Sequence, residues 1–180
     1  MAWGTPLTAV ANTALNASQW NASVRDNLLE TAPAKASAAG QWFVSTAANS
    51  ITQRSIAAAE VLTLQTTTTT GSYLNLTTDG PLIAVATSTQ ALVSITARME
   101  HSAAAGQCYA SYDITGATTL AANDNRALIT ELGAGNTARA TITNLHTGLN
   151  AGTNTFHMQY KIITAGTGTF EYRKIHVMGM

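Results

Sequence analysis

The sequence predicts a mainly β protein: an N-terminal arm and one short amphipathic helix, followed by an antiparallel β-sandwich of the jelly-roll type. Three observations carry that expectation. From about residue 61 onward apolar residues recur at every second position in short runs, the period of a half-buried strand. Turn signals separate the runs: "TTDGP" at 77–81, "ANDN" at 122–125, "GAGN" at 133–136, "NAGTN" at 150–154 and "AGTG" at 165–168. Before residue 40, one stretch alone shows a helical period.

Residues 1–15 are polar and Ala-rich, contain Pro6, and read as an extended arm. In "NASQWNASVRDNLLETAPAK" Asn16 or Ser18 can serve as N-cap, and Asn16 with Gln19 makes a capping box. Trp20, Val24 and Leu28 then recur every fourth residue with Leu29 beside them, while Asn21, Arg25, Asp26 and Glu30 take the other face and Pro33 ends the helix. A helix of about 15 residues is marginal alone in water and must dock on something. The stretch 40–60 reads as a linker and arm, with a short strand signal at Trp42 to Val44 and Ile51 and Arg54 beyond a polar turn. The domain expectation is therefore 1–60 for the anchoring arm, helix and linker, and 61–180 for the β head.

Within the head, Val93, Ile95, Ala97 and Met99 alternate with polar neighbours, as do Cys108, Ala110, Tyr112 and Ile114. Phe156, Met158, Tyr160 and Ile162 point inward, with His157, Gln159 and Lys161 outward. In the last strand Phe170 and Tyr172 share one face while Ile175 and Val177 share the other, so a bulge near Arg173–Lys174 is needed to restore one apolar face. About eight short strands in this arrangement read as a sandwich.

Charged residues make up 10% of the 180, and nine Lys and Arg balance nine Asp and Glu. Nucleic acid is disfavoured as a partner, since phosphate binding needs a basic excess or a segregated basic face. Net charge near zero removes the repulsion that keeps free monomers apart, which suits a protein that works in an assembly. Cys108 is the single cysteine, which excludes an intrachain disulfide and reads as a small buried hydrophobe. "MAWGTPLTAV" shows no export signal and no segment reaches eighteen apolar residues, so a soluble protein with no membrane partner is expected.

No nucleophile elbow, phosphate loop or zinc-ligand helix motif occurs. An enzyme is not expected, nor any cofactor or metal. His157 and His176, on the last two strands, are the histidines most able to approach one another. Asp113, Asp124, Glu131 and Glu171 read as solvated carboxylates, with Asp113 and Glu131 the pair a hydrolase reading would use.

The segment "ASQWNASVRDNLLETAPAKASAAGQWFVSTAANSITQR" resembles the N-terminal region of virion proteins of tailed actinobacterial phages, often labelled minor tail proteins. The matching positions are Trp20, Asn21, Val24, Arg25, Asp26, Asn27, Leu28, Leu29, Gly40, Asn49, Ile51 and Arg54. The C-terminal "NTFHMQYKIITAGTGTFEYRKIHVMGM" is similar to the closing hairpin of their β heads, which resemble the trimeric jelly roll of the tumour necrosis factor and complement globular-head type.

This resemblance implies a non-enzymatic structural protein made in the host cytoplasm and carried on the virion surface. Its partners would be two further copies of itself and the major capsid protein or tail proteins. Without a heptad or collagen-like shaft it fits capsid decoration better than a reaching fibre. The assembly residues would be Trp20, Val24, Arg25, Asp26, Leu28 and Leu29, with Trp42, Ile51 and Arg54 as linker contacts. The alternative is a minor tail or tail-knob protein whose loops near 77–81, 101–107 and 150–154 bind a host receptor or glycan.

Overall fold

The computed structural model describes residues 4, 7, 8, 10, 11, 13–68 and 70–180, the side chain of Ala32 excepted. The chain forms two units, Met1–Ser55 and Ile56–Met180.

The first unit holds one helix of 13 residues and a β-hairpin. Helical turns run through α1 (Ala17–Trp20), a π-wound stretch (Asn21–Arg25) and α2 (Asp26–Leu29), followed by a separate turn, α3 (Ala32–Lys35). The capping box is formed as expected, with Gln19 N–H donating to Asn16 Oδ1 at 2.8 Å. The helix stops at Leu29, before Pro33, which sits in the first turn of α3, where a missing N–H costs nothing. The arm expected over 1–15 lies partly outside the described residues, and its described part is fastened to the helix. Gly4 N–H donates to the buried Asn27 side chain and Leu7 N–H to Ser23 Oγ, both at 2.8 Å.

The linker expected over 40–60 is instead an antiparallel hairpin, β1 (Gln41–Ala47) and β2 (Ser50–Val61), turned at Ala48–Asn49 with Asn49 in the left-handed region. Ser, Thr and Ala at alternate positions weaken the apolar period, which is why the strands were hard to see in the sequence. Residues 50–55 of β2 pair with β1 in the first unit, and residues 56–61 pair with the last strand in the second.

The second unit is an antiparallel sandwich. Its strands are the end of β2, β3 (Gln65–Thr67), β4 (Leu82–Thr87), β5 (Gln90–His101), β6 (Gly106–Gly116), β7 (Leu128–Leu132), β8 (Thr137–Thr147), β9 (Gly152–Ile162) and β10 (Gly168–Gly179). One sheet has the order β2–β10–β5–β8 with β3 also on β10, and the other β4–β9–β6–β7. The chain passes back and forth between the sheets, which is the eight-stranded jelly-roll connectivity.

The inward rows are the ones the alternation predicts. Val93, Ile95, Ala97, Met99, Tyr112, Ile114, Phe156, Met158, Tyr160, Ile162, Ile175 and Val177 are fully buried, with Cys108 among them. Burial pushes the Cys108 thiol up to about 11, the state of an unreactive packing residue.

The expected bulge is present. Between the pairs Glu171–Arg98 and Lys174–Thr96, β10 carries two residues opposite one on β5, and Tyr172 takes a φ of 49°. The extra residue restores the phase of Ile175 and Val177 and swings Arg173 into the interior.

Candidate assembly interface

The helix carries the first candidate surface. Trp20, Leu28 and Leu29 are 55%, 58% and 56% exposed, while Val24 is half-buried in an apolar cleft of 180 Å³ with Leu7, Leu15, Trp20 and Ser23. Large side chains this exposed on one short element mark a surface waiting for cover. The π-wound stretch shapes it. A π turn takes up one residue more than an α turn, so positions beyond it lag by about 100°. Leu29, which a regular helix would place about 180° from Trp20, comes round to about 80°, and Leu28 to about 20° on the other side. The expected apolar stripe therefore holds together because of the π turn. Arg25 and Asp26 are ion-paired with each other at 2.8 Å and exposed.

The hairpin brings two of its three singled-out residues together. Trp42 and Arg54 are direct cross-strand partners, and each leaves a buried nitrogen, Trp42 Nε1 and Arg54 Nε, without a hydrogen bond. Ile51 lies opposite Ser45 on the other face, lining a cleft of 320 Å³ with Glu30, Thr31 and Asn49.

A second surface, absent from the sequence expectations, is the outer face of β2–β10–β5–β8. Ile56, Met178, Leu92 and Leu145 are register partners in one row across all four strands. Ile56 and Leu145 are each 56% exposed. The adjacent row is Ala58, His176, Ser94 and Thr143, and the next carries Glu60, Lys174, Thr96 and Thr141. Hydroxyls pair across it, Thr96 with Thr141 at 2.7 Å and Thr143 with Ser94 at 3.1 Å. Thr-rich composition is thus used in strands, where β-branched side chains fit and hydroxyls find each other. Two ion pairs lie on this face, Lys174 with Glu60 and Arg98 with Glu171, while Arg139, opposite Arg98, lies over the Tyr172 ring at 5.3 Å.

This sandwich resembles a viral particle protein. It aligns with the VP2 subviral particle of infectious bursal disease virus at TM-score 0.52 and 9% identity, over 76% of this chain and 37% of that one. The Gt strain of the same virus aligns at TM-score 0.51 and 9% identity, with the same coverages, 76% and 37%. At such identity the likeness is one of fold, and the chain spans 37% of the length of those proteins. A carbohydrate-binding module from Cellvibrio mixtus lichenase 5A aligns at TM-score 0.31 and 16% identity, over 69% of this chain and 97% of that one, which carries no argument about topology. No protein-family model and no curated protein matches the sequence.

The other outer face, of β4–β9–β6–β7, differs from expectation. Lys161 is outward in phase yet buried, its ammonium 2.6 Å from Asp124 and stacked between the Tyr73 and Tyr109 rings at 4.7 and 4.8 Å. The loop through Tyr73 covers it, and Tyr73 O–H also donates to Asp124 at 2.9 Å. Lys161 holds the Asp124 carboxyl below its ordinary value.

Among the described residues no cluster of three or more His, Cys, Asp or Glu could hold a metal, and no helix is long and apolar enough to cross a membrane. His157 and His176 do not approach one another, because β9 and β10 belong to different sheets and both side chains point outward. His157 instead lies 4.0 Å from Asp113, whose carboxyl burial pushes up. Glu131 faces Gln107, six residues along β6 from Asp113 and so about 20 Å away, too far for the two carboxylates to share a bond. The loops 101–107 and 150–154 sit at opposite ends of the sandwich, so with 77–81 they do not form one receptor site.

Proposed function

We propose that this chain is a structural protein of a virus particle, a surface-borne homotrimer of the tailed-phage kind that decorates the capsid. The observation that carries the reading is the outer β2–β10–β5–β8 face: a row of four apolar side chains, hydroxyl rows beside it, and two internal ion pairs. Four strands about 4.8 Å apart and eleven residues about 3.3 Å each give about 700 Å² per chain, the size of one side of a standard interface. The fold shared with a protein of a subviral particle supports the reading, as does the near-absence of net charge. Threefold order comes from the resemblance to trimeric jelly-roll heads.

In this reading the head makes the contacts between copies, and the stripe of Trp20, Val24, Leu28 and Leu29 presses on the shell beneath. Light scattering on the full chain tests the first half. A mass three times the 18.7 kDa of one chain, falling to one chain in Ile56→Lys, Leu145→Lys, is the expected result; a monomer at all concentrations rejects it. Quantitative mass spectrometry of purified particles tests the second. Hundreds of copies place the protein on the capsid, and a few tens place it on the tail.

A further inference from the structure

One polar corner of the head interior lies at the end of β8. Along β8 the inward positions run Ala138, Ala140, Ile142 and then Asn144 and His146. These last two face Tyr112 of β6, and the Tyr112 and His146 rings meet edge-on at 5.5 Å. β7 ends its pairing at Ala110–Leu128, so beyond it this side of the sandwich is closed by the short turn Asp124–Arg126. Arg126, half-buried, lays its guanidinium 5.7 Å from the centre of the Tyr112 ring and forms the outer wall.

Three polar atoms of this corner are buried without a hydrogen-bond partner: Tyr112 Oη, His146 Nε2 and Arg126 Nε. Asn144 stands beside the Tyr112 hydroxyl without a well-formed bond to it, its own amide donating to the Arg126 carbonyl at 3.3 Å. Among the described residues no carboxylate lies within ion-pair distance of Arg126. Asp124, two residues away, is spent on Lys161. Arg126 Nη2 donates to the Ala121 carbonyl, but its Nε, the Tyr112 phenol and the His146 imidazole lie at this one corner without an acceptor.

We propose that this corner binds a small oxyanion, with Arg126, Tyr112 and His146 as its ligands. An oxyanion offers several acceptor lone pairs to these donors and offsets the half-buried guanidinium, which a water molecule cannot do. Phosphate, sulfate and carboxylate share that chemistry. Burial and the neighbouring Arg126 hold the His146 imidazole below its ordinary range; an anion bound beside them would oppose this and favour imidazolium.

The test is an NMR titration of histidine-labelled full chain with sodium phosphate, sodium sulfate or sodium acetate, ionic strength being held constant with sodium chloride. His146→Gln assigns the resonance. The expected result is a saturable shift of the His146 signal, a rise in its apparent pKa and a higher melting temperature, weakened at least tenfold in Arg126→Gln. Response to phosphate or sulfate alone assigns an inorganic ligand, and response to acetate alone assigns a carboxylate. No saturable response to any of the three overturns the site, whether or not Arg126→Gln folds; an equal response in a folded Arg126→Gln overturns it too.

Discussion

Arg173 is carried into the interior by the β10 bulge and meets no carboxylate there; its Nη1 and Nη2 donate to the carbonyls of Thr78 and Thr63 at 3.1 and 3.2 Å, its guanidinium lies 5.3 Å from the centre of the Tyr160 ring, and its Nε has no partner. Those two carbonyls belong to the connections on either side of β3, so one side chain fastens both. Arg173→Met keeps the volume and leaves the carbonyls buried without donors. A loss of about 2–4 kcal/mol is expected in urea unfolding. His146 adds a pH effect. Its folded pKa lies below the unfolded value of about 6.5, so the unfolded chain binds the proton more readily. Stability is therefore present above about pH 6.5 and declines as pH falls through that value, and His146→Gln flattens this part of a stability–pH curve. Asp113 acts in the opposite sense to a paired carboxylate. Burial raises its pKa, so the charge costs stability at neutral pH, and Asp113→Asn raises the melting temperature more at pH 7 than at pH 4.

At the scale of elements, the head strands were legible because two sheets bury one face each, and that writes a period of two into "LVSITARME" and "TFHMQYKI". The bulge was legible because the phase of the last strand breaks there. Lys161 was not, since its burial depends on a loop folding over the outer face. β1 showed only its apolar start, Trp42 to Val44, and β2 was read as linker because Ala, Ser and Thr hide the strand period, while the apolar row from Ile56 to Leu145 exists only through register between four distant segments. The polar corner did leave a trace, Asn144 and His146 two apart on an inward face. In the helix, the π turn has its own test. Deleting Ala22, which is exposed, removes the extra residue of the π turn and allows a regular helix that keeps Leu28 about 20° and Leu29 about 80° from Trp20. Helical circular dichroism and, under the proposed function, incorporation into particles are both expected to persist; a loss of incorporation in a folded deletion variant would show that the π turn serves more than the placement of these side chains.

At the scale of the molecule, the division at Ser55–Ile56 predicts that residues 56–180 fold without the first unit. The core is confined to that unit and the eight jelly-roll strands all contribute to it. The fragment is expected to unfold cooperatively in urea and, since the outer β2–β10–β5–β8 face is intact, to self-associate like the full chain. A monomeric fragment beside an oligomeric full chain would move the contacts between copies to the helix.

The placement of the nine basic residues has a consequence for proteolysis. Arg54, Arg98, Arg139, Lys161, Arg173 and Lys174 lie within strands, where the backbone cannot enter a protease cleft, and Arg126 is tied into its short turn by a hydrogen bond to Ala121. That leaves Arg25 and Lys35, both ahead of the hairpin. Trypsin acting on the native protein would trim it to residue 36 and then stop, leaving the head whole; under the proposed function, the head is then cut from the helix that holds it to the shell.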